Sequence, residues 1–142
     1  MAVVYLITCV KTKDERPGQS RARDLYISPL FRKMRALAER EADRWYILSD
    51  HYGLLAPDDA VEWYEVDLKK LGRAARACWA GKVLSALWQV LEQDDRIVML
   101  AGSVYVRLLR AELERRGFAV DEPLHGLRIG ERMARLNDLL SE

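Results

Sequence analysis

The feature that most constrains this fold is the alternation of short apolar runs with longer amphipathic segments. Apolar runs of strand length occupy residues 2–9, 45–49, 96–101 and, more briefly, 118–120. Apolar residues recur at helical spacing after Ser28, over residues 68–93, after Ser103 and over residues 130–140. Strands that alternate with helices imply right-handed crossovers and a mostly parallel sheet. We therefore predict a single α/β domain over residues 1–142, with three layers and a sheet of about four strands flanked by helices.

Glycines and irregular stretches set the expected boundaries between these segments. Residues 11–22 and 56–67 are polar and should form long loops. Gly72 and Gly81 fall within the helical pattern of residues 68–93 and could break it into two pieces. Loops of this length in compact domains often carry function.

Composition excludes several classes of protein and of partner. The net charge of +1 gives no overall attraction to nucleic acid or membrane, so such an affinity would need a local patch. Cys9 and Cys78 are too few for a disulfide framework, which favours a reducing compartment. The apolar start lacks a basic leader and is interpreted as a strand, and no apolar run approaches the length of a membrane span. We expect a cytoplasmic protein with no membrane partner.

Three segments that follow strands should meet at one edge of the sheet. They are residues 9–13, 49–53 and 101–103, and ligands bind at the carboxyl ends of strands in open α/β sheets. The second segment contains Ser49, Asp50, His51 and Tyr52 and ends in Gly53. It offers a hydroxyl, a carboxylate, an imidazole and a phenol, so we predict that it forms the floor of a functional site.

The other segments at this edge suggest anion binding. Lys11 and Lys13 follow the first strand and suit a phosphate, although they could be solvated loop charges. Gly102 and Ser103 open a helix, whose N-terminus can bind an anion. Cys9 could be a nucleophile, but a free cysteine is more often a small buried apolar residue.

Candidate acids lie mainly in the loop after the central strand. Asp58, Glu62 and Asp67 could each activate a water or stabilise a developing cation, although most acidic residues are solvated surface charges. Together with His51 and His125 they could coordinate a metal, but no pair has the spacing of a metal motif. No dinucleotide or Walker A fingerprint is present, so ATP- and NAD-dependent chemistry is disfavoured. We predict no cofactor and no metal.

Arginines are concentrated on the last two helices. They alternate with acidic residues, so we interpret them as salt-bridged helix faces, with a basic rim for a nucleic-acid backbone as the alternative. They are Arg107, Arg110, Arg115, Arg116, Arg128, Arg132 and Arg135.

The order of the motifs resembles a family of small bacterial and archaeal domains grouped with the YaaA-like proteins and similar to uracil-DNA glycosylase-like domains. The resemblance rests on T-C-V-K-T-K, A-R-D-L-Y-I-S-P-L-F, W-Y-I-L-S-D-H-Y-G-L-L-A-P-D, W-Y-E-V-D-L, A-G-S-V-Y and P-L-H-G-L-R-I-G. It implies a pocket for a nucleobase or nucleoside. The pocket residues it implies include Cys9, Lys11, Lys13, Tyr26, Ser28, Ser49, Tyr52, Gly53, Asp58, Tyr64, Asp67, Gly102 and Tyr105.

The resemblance also implies a reaction, N-glycosidic hydrolysis that releases a damaged or modified pyrimidine from DNA. Asp58 would be the acid, with Asp67 or Glu62 as substitutes, because the position of Asp50 is commonly small in the family pattern. His51 would hydrogen-bond the base, and Tyr52 or Tyr26 would stack on it. The alternatives are a non-catalytic module that binds a nucleotide or single-stranded DNA, and an enzyme that transfers glycosyl groups between free nucleosides. The oligomeric state is left open.

Overall fold

The computed structural model describes residues 1–9, 13–15 and 18–142. Its strands lie where the β-branched and apolar runs predict them, with three additional short strands. They are β1 (Val3–Thr8), β2 (Ser20–Arg21), β3 (Arg44–Ser49), β4 (Gly53–Leu55), β5 (Ala60–Val61), β6 (Arg96–Leu100) and β7 (Ala119–Asp121). The helices are α1 (Ala22–Leu25), α2 (Pro29–Glu41), α3 (Arg73–Val90), α4 (Ser103–Arg115) and α5 (Ile129–Leu140), with a 3₁₀ turn at Leu68–Lys70.

The main sheet has five strands in the order β4-β3-β1-β6-β7. The strand β1 pairs in parallel with both β3 and β6, and β6 pairs in parallel with β7. The antiparallel edge strand β4 makes the fifth, beside the four strands that the apolar runs predict. The chain reverses at Gly53, whose positive φ of 82° suits a residue without a side chain, and the following Leu54 and Leu55 then pair back on β3.

Helices cover both faces of this sheet, which confirms the predicted three layers. Along β1, alternate residues enter two separate cores, as the period of a strand requires. Tyr5 and Ile7 pack in the core that includes α2 and α5, whereas Val4 and Leu6 pack in the core that includes α3 and α4. Strands buried on both faces explain why the apolar runs in the sequence are continuous.

The two long loops differ from the sequence-based expectation. Each contains a two-residue strand, and β2 and β5 pair with each other in a separate small sheet. Pairing requires two distant segments to meet, and neither segment has the length or pattern that signals a strand on its own.

The helical pattern of residues 68–93 is interrupted once, at its start. Leu68–Lys70 forms a 3₁₀ turn, Leu71 is extended, and α3 begins after Gly72. Gly81 lies inside α3 with open space around it and does not break the helix, so that part of the expectation was wrong. None of the described helices is both long and apolar enough to cross a membrane.

Candidate active site at the carboxyl edge of the sheet

A cavity of about 510 Å³ opens where β1, β3 and β6 end, which confirms that the three strand ends meet at one edge. Its volume is in the range of small-ligand sites, roughly 300–1,000 Å³. We call it the edge cavity. It is lined by Thr8, Cys9, Lys13, Ser28, Pro29, Leu30, Met34, Asp50, Val66, Asp67, Lys69, Ala101, Gly102, Tyr105, Leu124, Ile129, Arg132 and Met133.

The carboxylate of Asp50 is held by donors from three other parts of the chain. Its Oδ1 accepts a hydrogen bond of 2.7 Å from the Tyr105 hydroxyl and one of 3.2 Å from the Cys9 thiol. Its Oδ2 accepts one of 2.8 Å from the backbone N–H of Leu68. A carboxylate oxygen has two acceptor positions, so Oδ2 keeps one for a ligand or a water. The carboxylate is therefore oriented in advance on the cavity wall.

The groups that donate to Asp50 stay protonated. Burial, with the Asp50 carboxylate as a further cause, raises the pKa of Cys9 to about 12. Burial and the same carboxylate also raise the pKa of Tyr105 far above its ordinary value. A thiol in this state is a weak nucleophile, because the thiolate is the reactive form. The structure thus gives Cys9 and Tyr105 the role of donors.

A second hydroxyl network fixes the turn behind Asp50. The buried Ser49 hydroxyl donates to the Tyr64 hydroxyl at 3.0 Å and accepts from the backbone N–H of Tyr52 at 3.0 Å. The Tyr64 hydroxyl also shares a hydrogen bond of 2.7 Å with the Tyr26 hydroxyl. The Ser49 carbonyl accepts a hydrogen bond of 2.8 Å from the indole of Trp79. The strand end that presents Asp50 is therefore braced from the cores on both sides of the sheet.

The start of α4 provides an anion-binding corner of the edge cavity. Its N-cap residue, Gly102, supplies no side-chain cap, so the cap leaves N–H groups of the first turn open to a ligand. A Cβ placed on Gly102 would lie 3.8 Å from Nη1 of Arg132 and 3.9 Å from the ring of Tyr105. The guanidinium of Arg132 therefore lies beside Gly102 at the start of α4. Tyr105, whose hydroxyl donates to Asp50, is one helical turn further along α4.

The opposite wall of the edge cavity is apolar. Leu30 and Met34 come from α2, and Met133 comes from α5. Leu124 is buried, whereas Ile129 at the start of α5 is 68% exposed. A cavity with one apolar wall, the carboxylates of Asp50 and Asp67 and one anion corner suits a ligand that has a flat ring, a polar centre and a phosphate.

A second cavity of about 480 Å³ adjoins the first, and we call it the side cavity. Lys13, Val66 and Asp67 line both cavities and form their common wall. The ammonium of Lys13, a residue only 8% exposed, lies 4.5 Å from the ring centroid of Tyr64. The side cavity is lined by Lys13, Glu15, Trp63, Tyr64, Glu65, Val66, Asp67 and Lys70.

Many of the residues singled out in the sequence are brought to these two cavities. Asp67 caps the 3₁₀ turn by accepting from the N–H of Lys69, and Ser28 caps α2. Tyr26 and Ser49 lie behind the cavity walls in the hydroxyl network. The predicted residues that line one or both cavities are Cys9, Lys13, Ser28, Asp50, Tyr64, Asp67, Gly102 and Tyr105.

Part of the predicted turn supports the site from outside. The exposed ring of His51 stacks on Tyr64 with centroids 5.1 Å apart, and Tyr52 meets His51 edge to face. The Tyr52 hydroxyl donates to the carbonyl of Glu62 and accepts from its N–H. His51, Tyr52, Gly53 and Glu62 are absent from the described lining of both cavities.

Asp58, the favoured acid in the sequence, lies away from the edge cavity. Its exposed carboxylate forms ion pairs with Arg21 at 3.4 Å and Arg23 at 3.1 Å. Asp50 instead lines the cavity, as does Asp67, which the sequence offered as a substitute acid. Asp58 faces the small β2–β5 sheet because the backbone of Pro57 and Asp59 bonds to the start of α1.

The remaining predicted residues are peripheral or outside the described chain. Ser103 is exposed at the first position of α4, and its carbonyl accepts from Arg107. The side chain of His125 is 80% exposed and lies 3.4 Å from Glu122. Lys11 lies outside the described residues.

Sequence reasoning missed the apolar wall and two of the cavity's cations, Lys69 and Arg132. Leu30, Met34 and Met133 have the spacing of core-facing helix residues, so a wall residue and a core residue look the same in the sequence. Arg132 was assigned to a salt-bridged helix face, but it donates to the Leu127 carbonyl at 3.0 Å and lines the cavity. That interpretation does hold for Arg110 and Arg115, which pair with Glu114 and Glu112.

Comparison with known proteins assigns this chain to a family. Residues 4–138 match the model of DUF6884, described as a family of unknown function. The chain is also similar to the uncharacterized protein YfjM of Bacillus subtilis (strain 168), with 42% identity over 65 residues. That match covers 43% of this chain and 43% of YfjM, so the relative is matched over less than half its length. No solved structure is significantly similar. Because the family model spans nearly the whole chain, this protein belongs to the DUF6884 family.

Proposed function

We propose that this protein is an N-glycosidase that removes a damaged or modified pyrimidine from a nucleotide unit of DNA held in the edge cavity. The observation that carries the proposal is one juxtaposition. The oriented carboxylate of Asp50 lies within one turn of α4 of an anion-binding corner, and an apolar wall completes the same cavity. A nucleotide has three parts that match these features: a phosphate for the anion-binding corner, a sugar for Asp50 and a base for the apolar wall.

The phosphate would bind at the start of α4. Backbone N–H groups of the first turn and the guanidinium of Arg132 both favour an anion there. The base would lie against the apolar wall formed by Leu30, Met34 and Leu124. This placement brings the sugar towards Asp50, between the two.

Asp50 would act on the sugar. Breaking the bond between C1′ and the base nitrogen leaves positive charge on the sugar ring and negative charge on the departing base. The Asp50 carboxylate would stabilise the sugar cation, and the free acceptor position of Oδ2 would orient the water that adds to C1′. The proton of that water leaves with the base, so the products are an abasic site and a neutral base.

The ammonium groups of the cavity would take the role that the sequence gave to His51. Lys13 and Lys69 both line the edge cavity, whereas His51 does not. A cation near a base oxygen stabilises the negative charge that develops on the leaving group. Cys9 and Cys78 are free thiols, and this suits the reducing cytoplasm in which we place the activity.

A panel of oligonucleotides that carry modified pyrimidines tests the proposal. The expected result is an abasic product from at least one member, detected as strand scission after alkaline treatment. Asp50→Asn should bind the same oligonucleotide and release its base much more slowly. Absence of product across the panel, from protein shown to be folded by circular dichroism, would contradict the glycosidase.

A second candidate is a binding module that holds a nucleotide without cleaving it. It is favoured by the state of Asp50 and Cys9, since three donors engage the carboxylate and the thiol stays protonated. Binding of the oligonucleotides by the unaltered protein, with no abasic product in any case, would establish this candidate. Base exchange between two free nucleosides would instead indicate a glycosyl-transfer enzyme.

A further inference from the structure

We propose that the side cavity is a second nucleotide subsite, in which the indole of Trp63 stacks on the base next to the one in the edge cavity. The inference deepens the proposed function, and it rests on that function in taking DNA as the polymer. It makes the preferred substrate a single-stranded or locally opened strand of at least two nucleotides.

The two cavities are placed as neighbouring subsites would be. They share the wall formed by Lys13, Val66 and Asp67. A DNA strand that leaves one cavity therefore enters the other by crossing this wall, where the Lys13 ammonium can approach the phosphate that connects the two nucleotides. The side cavity is concave, and a base inside it cannot remain paired in a duplex.

Trp63 is the apolar surface on which a base would stack. Trp63 is 41% exposed and is one of three large apolar residues exposed in the described part of the chain, with Met1 and Ile129. Aromatic faces bind bases of any sequence, because every base has a π face. The partly exposed indole lines the side cavity, so its face is available to stack on a base there.

The backbone on both sides of Trp63 is fixed, so the platform is formed in advance. The backbone of Glu62 makes two hydrogen bonds with the Tyr52 hydroxyl, at 3.0 and 3.2 Å. Tyr64 is buried and bonded to Ser49 and Tyr26. A rigid platform loses little conformational freedom when a ligand binds.

The charges of the side cavity favour a base over a phosphate. Lys13 and Lys70 face three carboxylates, those of Glu15, Glu65 and Asp67. Excess negative charge repels a phosphate, whereas carboxylates accept hydrogen bonds from the amino groups of bases. Stacking and amino-group contacts, with the phosphate kept at the shared wall, are therefore the mode of recognition.

Fluorescence anisotropy with two labelled probes tests the inference. The probes are a pool of unmodified random-sequence DNA tetranucleotides and a pool of the four mononucleotides. The unaltered protein should bind the tetranucleotides more tightly. Trp63→Ala should weaken tetranucleotide binding roughly tenfold and leave mononucleotide binding unchanged, because loss of one base–aromatic stack has about this effect. Trp63→Phe, which keeps an aromatic face, should recover most of the affinity.

Arg115→Ala provides the control for non-specific charge effects. Arg115 is 73% exposed in the last turn of α4, and its loss should leave both affinities unchanged. The inference is overturned by equal affinity of the unaltered protein for the two probes. It is also overturned by unaltered tetranucleotide binding in Trp63→Ala, or by equal weakening in Arg115→Ala.

The outcomes separate this inference from the glycosidase. A tetranucleotide effect of Trp63→Ala without any base release would retain the subsite and reject the glycosidase. Base release with no effect of Trp63→Ala on tetranucleotide binding would retain the glycosidase and reject the subsite.

Discussion

The hydroxyl of Tyr105 donates a hydrogen bond of 2.7 Å to Oδ1 of Asp50, and these residues are 55 positions apart in the chain. The bond joins α4 to the turn after β3, across the carboxyl edge of the sheet. It orients the carboxylate on the wall of the edge cavity. Because burial holds the pKa of Tyr105 far above its ordinary value, the phenol stays protonated and continues to donate.

We expect Asp50→Asn to lower the rate of base release by about 10²- to 10³-fold, the usual effect of removing one preorganised electrostatic group. The asparagine keeps the shape of the side chain and removes its negative charge. Single-turnover cleavage of the oligonucleotide identified in the panel is the measurement. Asp58→Asn is the matched control, and its rate should be unchanged because Asp58 pairs with Arg21 and Arg23 outside the cavity. A larger loss in Asp58→Asn than in Asp50→Asn would contradict this assignment.

We expect Ser49→Ala to lower the free energy of unfolding by about 1–3 kcal/mol. The change removes a donor to Tyr64 and an acceptor for the backbone N–H of Tyr52, in a fully buried position. Urea denaturation followed by circular dichroism measures the difference. Ser141→Ala, at the exposed end of α5, should remain within about 0.5 kcal/mol of the unaltered protein. Equal stability of the two variants would show that the hydroxyl network contributes nothing.

Alkylation should distinguish the two cysteines. Cys9 is buried and its pKa is raised to about 12, so few thiolates form at neutral pH, whereas Cys78 is exposed. Iodoacetamide should therefore modify Cys78 in the folded protein and leave Cys9 unmodified until denaturant is added. Peptide mass spectrometry gives the modified fraction at each site. Modification of Cys9 at the rate of Cys78 in folded protein would refute the burial of the thiol and its bond to Asp50.

The buried tyrosines should make the fold sensitive to alkali. Burial raises the pKa of Tyr26, Tyr64 and Tyr105 above the ordinary value of 10.0. The folded state therefore holds these protons more tightly than the unfolded state does. The resulting stabilisation is fully present below about pH 10 and is lost as the pH rises further, because only the unfolded chain then releases the protons.

Urea titrations across this range, with tyrosinate absorbance recorded in parallel, measure the loss of stability. Tyr105→Phe removes one of the three groups and should reduce the slope of stability against pH above about pH 10. An unchanged slope in this variant, or tyrosinate formed in full before unfolding, would contradict the prediction.

Local pattern was sufficient to predict the four parallel strands of the sheet and the edge at which the cavity opens. The runs that contain β1, β3 and β6 are continuous and apolar because helices cover both faces of the sheet. Parallel strands end at the same edge of the sheet, so Cys9, Asp50 and Gly102 meet there independently of their side-chain contacts. The strands β2 and β5 could not be found in this way, because their formation depends on pairing between distant segments. The strand β4 pairs with the adjacent β3, but its three residues are too few to show a strand pattern.

The choice between carboxylates was decided by tertiary structure alone. In the sequence, Asp50 and Asp58 are both acids near the end of one strand, with nothing local to separate them. Asp50 becomes the candidate catalytic group because Cys9, Leu68 and Tyr105 converge on it from β1, the 3₁₀ turn and α4. Asp58 lies away from the cavity and forms ion pairs with Arg21 and Arg23. The sequence determined where strands end, through hydrophobic periodicity, whereas long-range hydrogen bonds determined how the Asp50 carboxylate is held on the cavity wall.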